Sequence, residues 1–114
     1  MMTGKCRDRN QRVNIILREN KMWGATIKFK IKEDSDTEFK SKAKIFIDQA
    51  KANEQGIVFN DLFMDEEKTY HWIEIFENKK SHETHFKQEA TQDFFEFIGP
   101  LFDGKPDFKT FESV

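Results

Sequence analysis

The chain has 114 residues, of which 37% are hydrophobic and 35% charged, and its formal net charge at pH 7 is -2. This length predicts one domain with a single modest core, and the near-neutral charge excludes a strong electrostatic attraction to nucleic acid or to an anionic membrane. No apolar run approaches the roughly 20 residues of a membrane-spanning helix, and the single cysteine, Cys6, cannot form an internal disulfide, so we expect a cytoplasmic location.

Residues 1–23 are polar and basic, and we expect them to form a flexible N-terminal extension ahead of a domain that covers residues 24–114. The one apolar run of this segment, Val13–Leu17, is too short for the apolar region of a secretion signal. A mitochondrial presequence would suit the arginines but not the two acidic residues. Met22 is an alternative start of the natural chain, because the codons for residues 18–21 can form a purine-rich ribosome-binding tract.

The first half of the predicted domain contains a strand and then a helix. Apolar residues alternate with polar ones from Ala25 to Ile31, the period of two that is typical of a half-buried strand. Ser35–Glu38 has the S-x-x-E pattern of a capping box, which predicts the start of a helix. Gly56 is the expected stop of this helix, and its apolar positions recur at helical spacing: Phe39, Ala43, Phe46, Ile47 and Ala50.

The second half predicts a β-hairpin, a broken helical region and a final strand. In chain order these are a strand over Ile57–Met64, a turn over Asp65–Lys68, a strand over Thr69–Phe76, a helix from about Asn78 that loosens at Gln88–Thr91 and breaks at Gly99–Pro100, and a strand over Asp107–Ser113. The resulting order, β-α-β-β-α-β, is the ferredoxin-like arrangement of the α+β class, in which two helices cover one face of an antiparallel sheet.

Both faces of the predicted sheet carry apolar residues. Ile73 and Ile75 point away from the face that carries Glu74 and its aromatic neighbours. Two helices can cover only one face, so we expect a second copy of the chain to cover the other. The sequence therefore predicts a homodimer that buries either Ile73 and Ile75 or Val58 and Leu62.

The stretch Glu74-Ile-Phe-Glu-Asn78, with His85 placed 11 residues after the glutamate, resembles the E-x-W-x-(S/N)…A-x-x-x-H run of antibiotic-biosynthesis-monooxygenase-like (ABM) domains in the dimeric α+β barrel superfamily. The resemblance covers residues 25–114, and the segment over residues 99–106 is also similar to the end of the family's last helix. Phe76 stands where the family has a tryptophan, and the segment after His85 looks longer than in the family.

This resemblance implies a barrel shared by two protomers, each with a pocket between its sheet and its helices. Relatives in the superfamily oxidise quinols and polycyclic phenols with dioxygen and without metal or flavin, others degrade haem, and one group isomerises a signalling molecule, so the fold does not define the reaction. The haem-degrading branch has an asparagine on the first strand, a tryptophan at the position of Phe76 and a histidine ligand near residues 88–90. None of these is present in the sequence, and we do not expect haem degradation.

Glu74 and His85 are the expected catalytic residues. A carboxylate among aromatic side chains suits a general base or a hydrogen-bond donor, and it also suits a structural role as the partner of a histidine or of a helix end. His85 matches the family's histidine, and from a position facing the pocket it would take a proton from a phenol or stabilise an oxyanion. The alternative is a helix histidine that only pairs with Glu74.

Phenylalanine is abundant, with 13 residues in this short chain. Aromatic side chains in such numbers either pack the core or line a slot for a flat molecule. We expect the ligand to be a small aromatic molecule, and we assign its binding to Trp72, Tyr70, Phe76, Phe29, Phe59 and Phe94.

The string His82-Glu-Thr-His85 is one residue shorter than the H-E-x-x-H pattern of zinc helices. Histidines three residues apart can still meet on a helix, and Glu74 would be a third ligand, but no cysteine or further histidine completes the set. We therefore expect no metal site. His71 is out of phase with Trp72 and faces away from Glu74, which predicts a place at the surface or at an interface.

These features together predict a cofactor-independent monooxygenase, an oxidoreductase that acts on a small phenolic or quinol-like substrate. Two other functions of the same pocket stay open. One is non-catalytic binding of a small molecule, as in a stress-response module. The other is isomerisation, with Glu74 and His85 moving a proton.

Overall fold

The fold is a four-stranded sheet with three helices packed on one face. The computed structural model describes residues 21–114. The strands lie in the order β2-β3-β1-β4, and all neighbouring pairs are antiparallel. The predicted ferredoxin-like arrangement of the α+β class is therefore confirmed. In chain order, the elements are β1 (Trp23–Phe29), a 3-10 turn (Glu33–Ser35), α1 (Asp36–Asn53), β2 (Ile57–Met64), β3 (Tyr70–Phe76), α2 (Lys79–Lys87), α3 (Glu89–Ile98), a second 3-10 turn (Gly99–Leu101) and β4 (Asp107–Glu112).

The N-terminal extension predicted over residues 1–23 lies outside the described residues, except for its last three. Trp23 belongs to the sheet, and Met22 is hydrogen-bonded to Ser113, the residue after β4. The backbone NH of Met22 donates to Ser113 Oγ at 2.8 Å, and Trp23 is the first residue of β1, paired with both Phe76 and Glu112. Strand β1 thus begins one residue before the expected domain boundary, because Trp23 continues the alternation of the strand.

Helix α1 packs on the sheet with the face that its spacing predicts. Phe39 is fully buried, and its ring meets those of Phe29 and Tyr70 edge-on, with centroids 5.6 Å and 5.0 Å apart. The predicted capping box is wrong, because the Ser35 side chain makes no capping hydrogen bond within the described chain. Ser35 closes the 3-10 turn that leads into α1, and its backbone NH donates to Lys32 O at 2.9 Å.

The predicted loosening of the second helical region is a true break. Gln88 has extended backbone angles and separates α2 from α3. Asn78 caps α2, since its side chain accepts a hydrogen bond from Ser81 N at 2.8 Å. Among residues 21–114, no helix combines the length and the apolar character that crossing a bilayer requires.

The register of the strands decides which side chains face the helices. Strand β3 buries every second residue from Tyr70 to Phe76, so Ile73 and Ile75 lie on the opposite face, as predicted. In β2 a bulge between Ile57 and Phe59 shifts the pairing by one residue, and this shift breaks the regular alternation. Leu62 pairs with Trp72 on the helix side of the sheet. The alternative interface that would bury Leu62 together with Val58 is therefore wrong.

We call the face of the sheet opposite the helices the open face. It carries the rings of Phe59, Phe63 and Phe111, which are between 40% and 52% exposed, beside the half-buried Ile73 and Ile75. None of the helices formed by residues 21–114 covers it. An apolar face of this kind is typical of a surface that meets another chain.

Phe39 offers a test of the core on the helix side. Phe39→Ala should lower the free energy of unfolding by about 3–5 kcal/mol, because it leaves a cavity between α1 and the rings of β1 and β3. Urea unfolding followed by circular dichroism measures this change. Ile45→Ala is the control, since Ile45 lies on the exposed side of the same helix and its loss should cost less than about 0.5 kcal/mol. Equal effects of the two substitutions would contradict this packing.

Candidate functional site

A narrow cavity lies between the sheet and helices α2 and α3. Its walls include five of the predicted site residues: Phe29, Trp72, Glu74, His85 and Phe94. The space open to the centre of a water-sized sphere is about 20 Å³, which is room for about one water molecule. The sequence did not assign the other aromatic rings of the wall to a site, because each lies on a different segment of the chain: Phe46, Phe86, Phe95 and Phe102.

Glu74 reaches this cavity from the middle of β3. It is 4% exposed, and it lies opposite Ala25 of β1 and Asn60 of β2. Asn60 is itself buried and accepts a hydrogen bond from Trp72 Nε1 at 2.7 Å. The side-chain nitrogen of Asn60 has no hydrogen-bond partner among the described residues. The centre of the sheet thus carries a small polar layer inside an aromatic core.

His85 lies on the buried side of α2 and is 1% exposed. Its Nε2 is 3.3 Å from Glu74 Oε2, so the predicted meeting of these two residues is present. Its Nδ1 is 2.9 Å and 3.0 Å from the two carboxylate oxygens of Glu54. An ionised carboxylate only accepts hydrogen bonds, so a carboxylate beside each ring nitrogen favours hydrogen on both nitrogens. The arrangement therefore favours the imidazolium form of His85.

Glu54 was not predicted from the sequence. It is the residue at which α1 ends, and its side chain is 16% exposed. The turn after it packs against the start of α2, where a side chain at Gly56 would place its Cβ only 2.6 Å from Ser81 Cβ. Because the turn and α2 lie this close together, Glu54 is within hydrogen-bonding distance of His85 on the same helix. No local pattern signals such a contact, which joins residues 31 positions apart.

The electrostatics of His85 follow from these neighbours. Burial alone would lower its pKa, because it disfavours the charged form. The contacts with Glu74 and then Glu54 outweigh burial, and the net effect raises the pKa of His85 above its ordinary value.

The other two histidines take no part in this cluster of contacts. His82 packs against Phe76 and Phe86, with ring centroids 5.0 Å and 4.6 Å away, and burial lowers its pKa, so it is neutral. His71 is 2.9 Å from Asp65 at the end of the hairpin, and this hydrogen bond lowers the pKa of Asp65 to about 2. Within residues 21–114, no group of three or more His, Cys, Asp or Glu side chains is placed to hold a metal ion.

Three of the residues assigned to substrate binding do not line the cavity. Tyr70 is buried, but its hydroxyl donates to Asp36 at the start of α1, and burial and this hydrogen bond raise the pKa of Tyr70. Phe76 lies beside the ring of His85, 5.4 Å between centroids, outside the cavity wall. Phe59 is on the open face, because the bulge in β2 turns it away from the helices.

Fold and site together define a ferredoxin-like α+β domain with a buried glutamate–histidine pair in the wall of an aromatic cavity. The sequence profile of antibiotic biosynthesis monooxygenases matches residues 22–96. The chain belongs to the antibiotic biosynthesis monooxygenase family. No match to the chain was found among curated proteins.

Solved structures with the same fold include a protein from Caulobacter crescentus CB15 assigned to antibiotic biosynthesis monooxygenases. It is 21% identical, with a TM-score of 0.78 over 83% of this chain and 92% of that chain. A conserved protein from Methanosarcina mazei Go1 is 14% identical, with a TM-score of 0.76 over 83% of this chain and 95% of that chain. Rv0793 from Mycobacterium tuberculosis is 12% identical, with a TM-score of 0.75 over 82% of this chain and 95% of that chain. At these identities the likeness concerns the fold.

The raised pKa of His85 makes stability depend on pH. A group with a folded-state pKa above its unfolded value stabilises fully below the unfolded pKa, here about 6.5, and loses this contribution as pH rises through the folded pKa. Between pH 6 and pH 9, the free energy of unfolding of the unsubstituted protein should therefore fall relative to that of the His85→Gln variant. Each tenfold increase in the proton affinity of His85 on folding corresponds to about 1.4 kcal/mol.

Urea unfolding at several pH values measures this difference. Ile45→Ala is the control, since it changes an exposed side chain without a titratable group and should keep the pH dependence of the unsubstituted protein. The free energies of unfolding of the unsubstituted protein and of His85→Gln could also differ by an amount that stays constant with pH. That result would show that folding does not raise the proton affinity of His85.

Proposed function

We propose that the protein is a monooxygenase that oxidises a small phenolic or quinol-like molecule with dioxygen, using neither metal nor flavin. The observation that carries this proposal is the Glu74–His85 pair, 3.3 Å apart, in the wall of an otherwise aromatic cavity. Membership of the antibiotic biosynthesis monooxygenase family supports a monooxygenase-like role in general terms.

Glu74 is the base in this proposal. It takes the hydroxyl proton of the substrate, and the His85 cation beside it stabilises the negative charge of the phenolate. The phenolate is electron-rich enough to transfer an electron to dioxygen, and recombination of the two radicals forms a carbon–oxygen bond. Loss of water from the resulting hydroperoxide gives a quinone. One oxygen atom of dioxygen enters the ring and the other leaves as water, so the reaction consumes no external reductant.

The cavity must open for a substrate to bind. About 20 Å³ of free space accommodates no aromatic ring. Phe86 and Phe95 stack on each other with centroids 5.5 Å apart and are only half-buried, so they form the part of the wall that can move outward at least cost. The phenyl rings would then flank a flat substrate on the side away from Glu74.

Binding without catalysis is the second candidate, and it is favoured by the carboxylates of Glu54 and Glu74 that already face both ring nitrogens of His85. In such a module, Glu74 and His85 would only fix the orientation of a ligand hydroxyl. An isomerase would use the same two residues to move a proton without consuming oxygen. Oxygen uptake separates both from a monooxygenase.

We also propose that the protein is a homodimer in which the open faces of two sheets pack together. Support comes from the exposed rings of Phe59, Phe63 and Phe111 next to Ile73 and Ile75, an apolar surface that a second copy would bury. A cytoplasmic location stays a prediction from the single cysteine.

Catalysis is tested by oxygen uptake with a panel of quinols and hydroxynaphthalenes. His85→Ala and Glu74→Gln should each lower turnover by on the order of 10² or more, the range for loss of an acid–base group. His71→Gln, on the other face of the sheet, should leave turnover unchanged. Uptake that a chelator abolishes would instead point to a metal, and no uptake with any substrate would favour binding or isomerisation.

The dimer is tested by Ile75→Asp, which places an unpaired charge between the two sheets and should convert the protein to a folded monomer. Ile45→Asp is the matched control, because it adds the same charge on the exposed side of α1 and should keep the dimer. Analytical ultracentrifugation reports the outcome. A monomer for the unsubstituted protein would contradict the proposal.

A further inference from the structure

Glu54 makes the shortest polar contact of the buried histidine. Both of its carboxylate oxygens lie within 3.0 Å of His85 Nδ1, whereas Glu74 is 3.3 Å from Nε2. The two carboxylates therefore bracket the ring, Glu54 from the end of α1 and Glu74 from the middle of β3. The ring cannot rotate without losing one of them, so Glu54 determines which nitrogen faces Glu74 and the cavity.

The position of Glu54 is itself held by the backbone. The turn after α1 lies so close to α2 that Gly56 has no room for a side chain beside Ser81, and Gly56 O accepts from Glu77 N at 2.9 Å. These contacts connect the turn both to the end of β3 and to the helix that carries His85. The carboxylate is thus fixed relative to the imidazole.

Glu54 is also the member of this group that meets solvent. Its side chain is 16% exposed, against 2% for His85 and 5% for Glu74. It borders two surface depressions, one shared with Ser81 and the other with Gln49. A proton can therefore pass between Glu54 and water without any opening of the core.

We propose that Glu54 is a positioning residue of the acid–base site, which keeps His85 cationic beside Glu74 and connects the buried ring to water. The role of Glu54 in catalysis rests on the function proposed above, whereas the effect of Glu54 on the charge of His85 does not.

The proton step is simple. The proton on Nδ1 moves to a Glu54 oxygen and from there to a water molecule, so one proton is released and the ring becomes neutral; the reverse steps restore the cation. The titratable groups packed around the ring are Glu54 directly after α1, Glu74 on β3 and His82 on α2. His82 lacks a charge at neutral pH, so the two carboxylates dominate.

Nuclear magnetic resonance titration of the imidazole nitrogens of His85 tests the proposal without any substrate. Glu54→Gln keeps the shape of the side chain and removes its charge, and it should lower the titration midpoint of His85 by about one pH unit or more. Glu38→Gln is the matched control, because it makes the same change at an exposed position in the first turn of the same helix and should leave the midpoint unchanged. An unchanged midpoint in Glu54→Gln would overturn the proposal.

A second variant keeps the test decisive if Glu54→Gln does not fold. Glu54→Asp retains the charge but shortens the reach, so it should give an intermediate midpoint, and a midpoint equal to that of the unsubstituted protein would then overturn the proposal. In the activity assay, the alkaline limb of kcat/KM should move with the midpoint. A lowered midpoint without oxygen uptake in any variant would reject the monooxygenase function and leave the role of Glu54 standing.

Discussion

The helix side of the structure depends on one buried histidine held between two carboxylates. A lone imidazolium in an apolar core would be strongly unfavourable, and Glu54 and Glu74 offset this cost by placing a carboxylate beside each ring nitrogen. Glu54, Glu74 and His85 come from the end of α1, the middle of β3 and the second turn of α2. Their contacts can form only when these three elements have assembled, so the polar group at the centre reports on the correct packing of the whole helix side.

The aromatic core and the polar group support each other. Phe46 and Phe76 lie 5.9 Å and 5.4 Å from the ring of His85, and they exclude the water that would otherwise weaken its contacts with the carboxylates. Phe46 also lines the cavity, whose free space is about 20 Å³. A chain this rich in phenylalanine can therefore build both a dry core and a wall suited to flat molecules from one residue type.

Much of the fold and part of the site follow from periodicity. The alternation of β3 placed Glu74 on the helix side and Ile75 on the open face, and the spacing of the family's motif placed His85 opposite Glu74. The position of Phe59 was missed because a bulge changes the register of β2 without a signal such as glycine or proline. Glu54 was missed because its partner is distant along the chain, and helix-end carboxylates are common on protein surfaces.

Gly56, two residues after Glu54, limits the length of the turn between α1 and β2. One extra residue in the extended turn before Gly56 would move the chain by up to about 3.3–3.6 Å, more than the whole distance between Glu54 and His85. The hairpin turn between β2 and β3 has its own hydrogen bonds, which centre on Asp65, and none of them involves Glu54, Glu74 or His85. We therefore expect an insertion after α1 to separate Glu54 from His85, and an insertion at the hairpin to leave their contact in place, so the short link between Glu54 and Gly56 sets the geometry of the site.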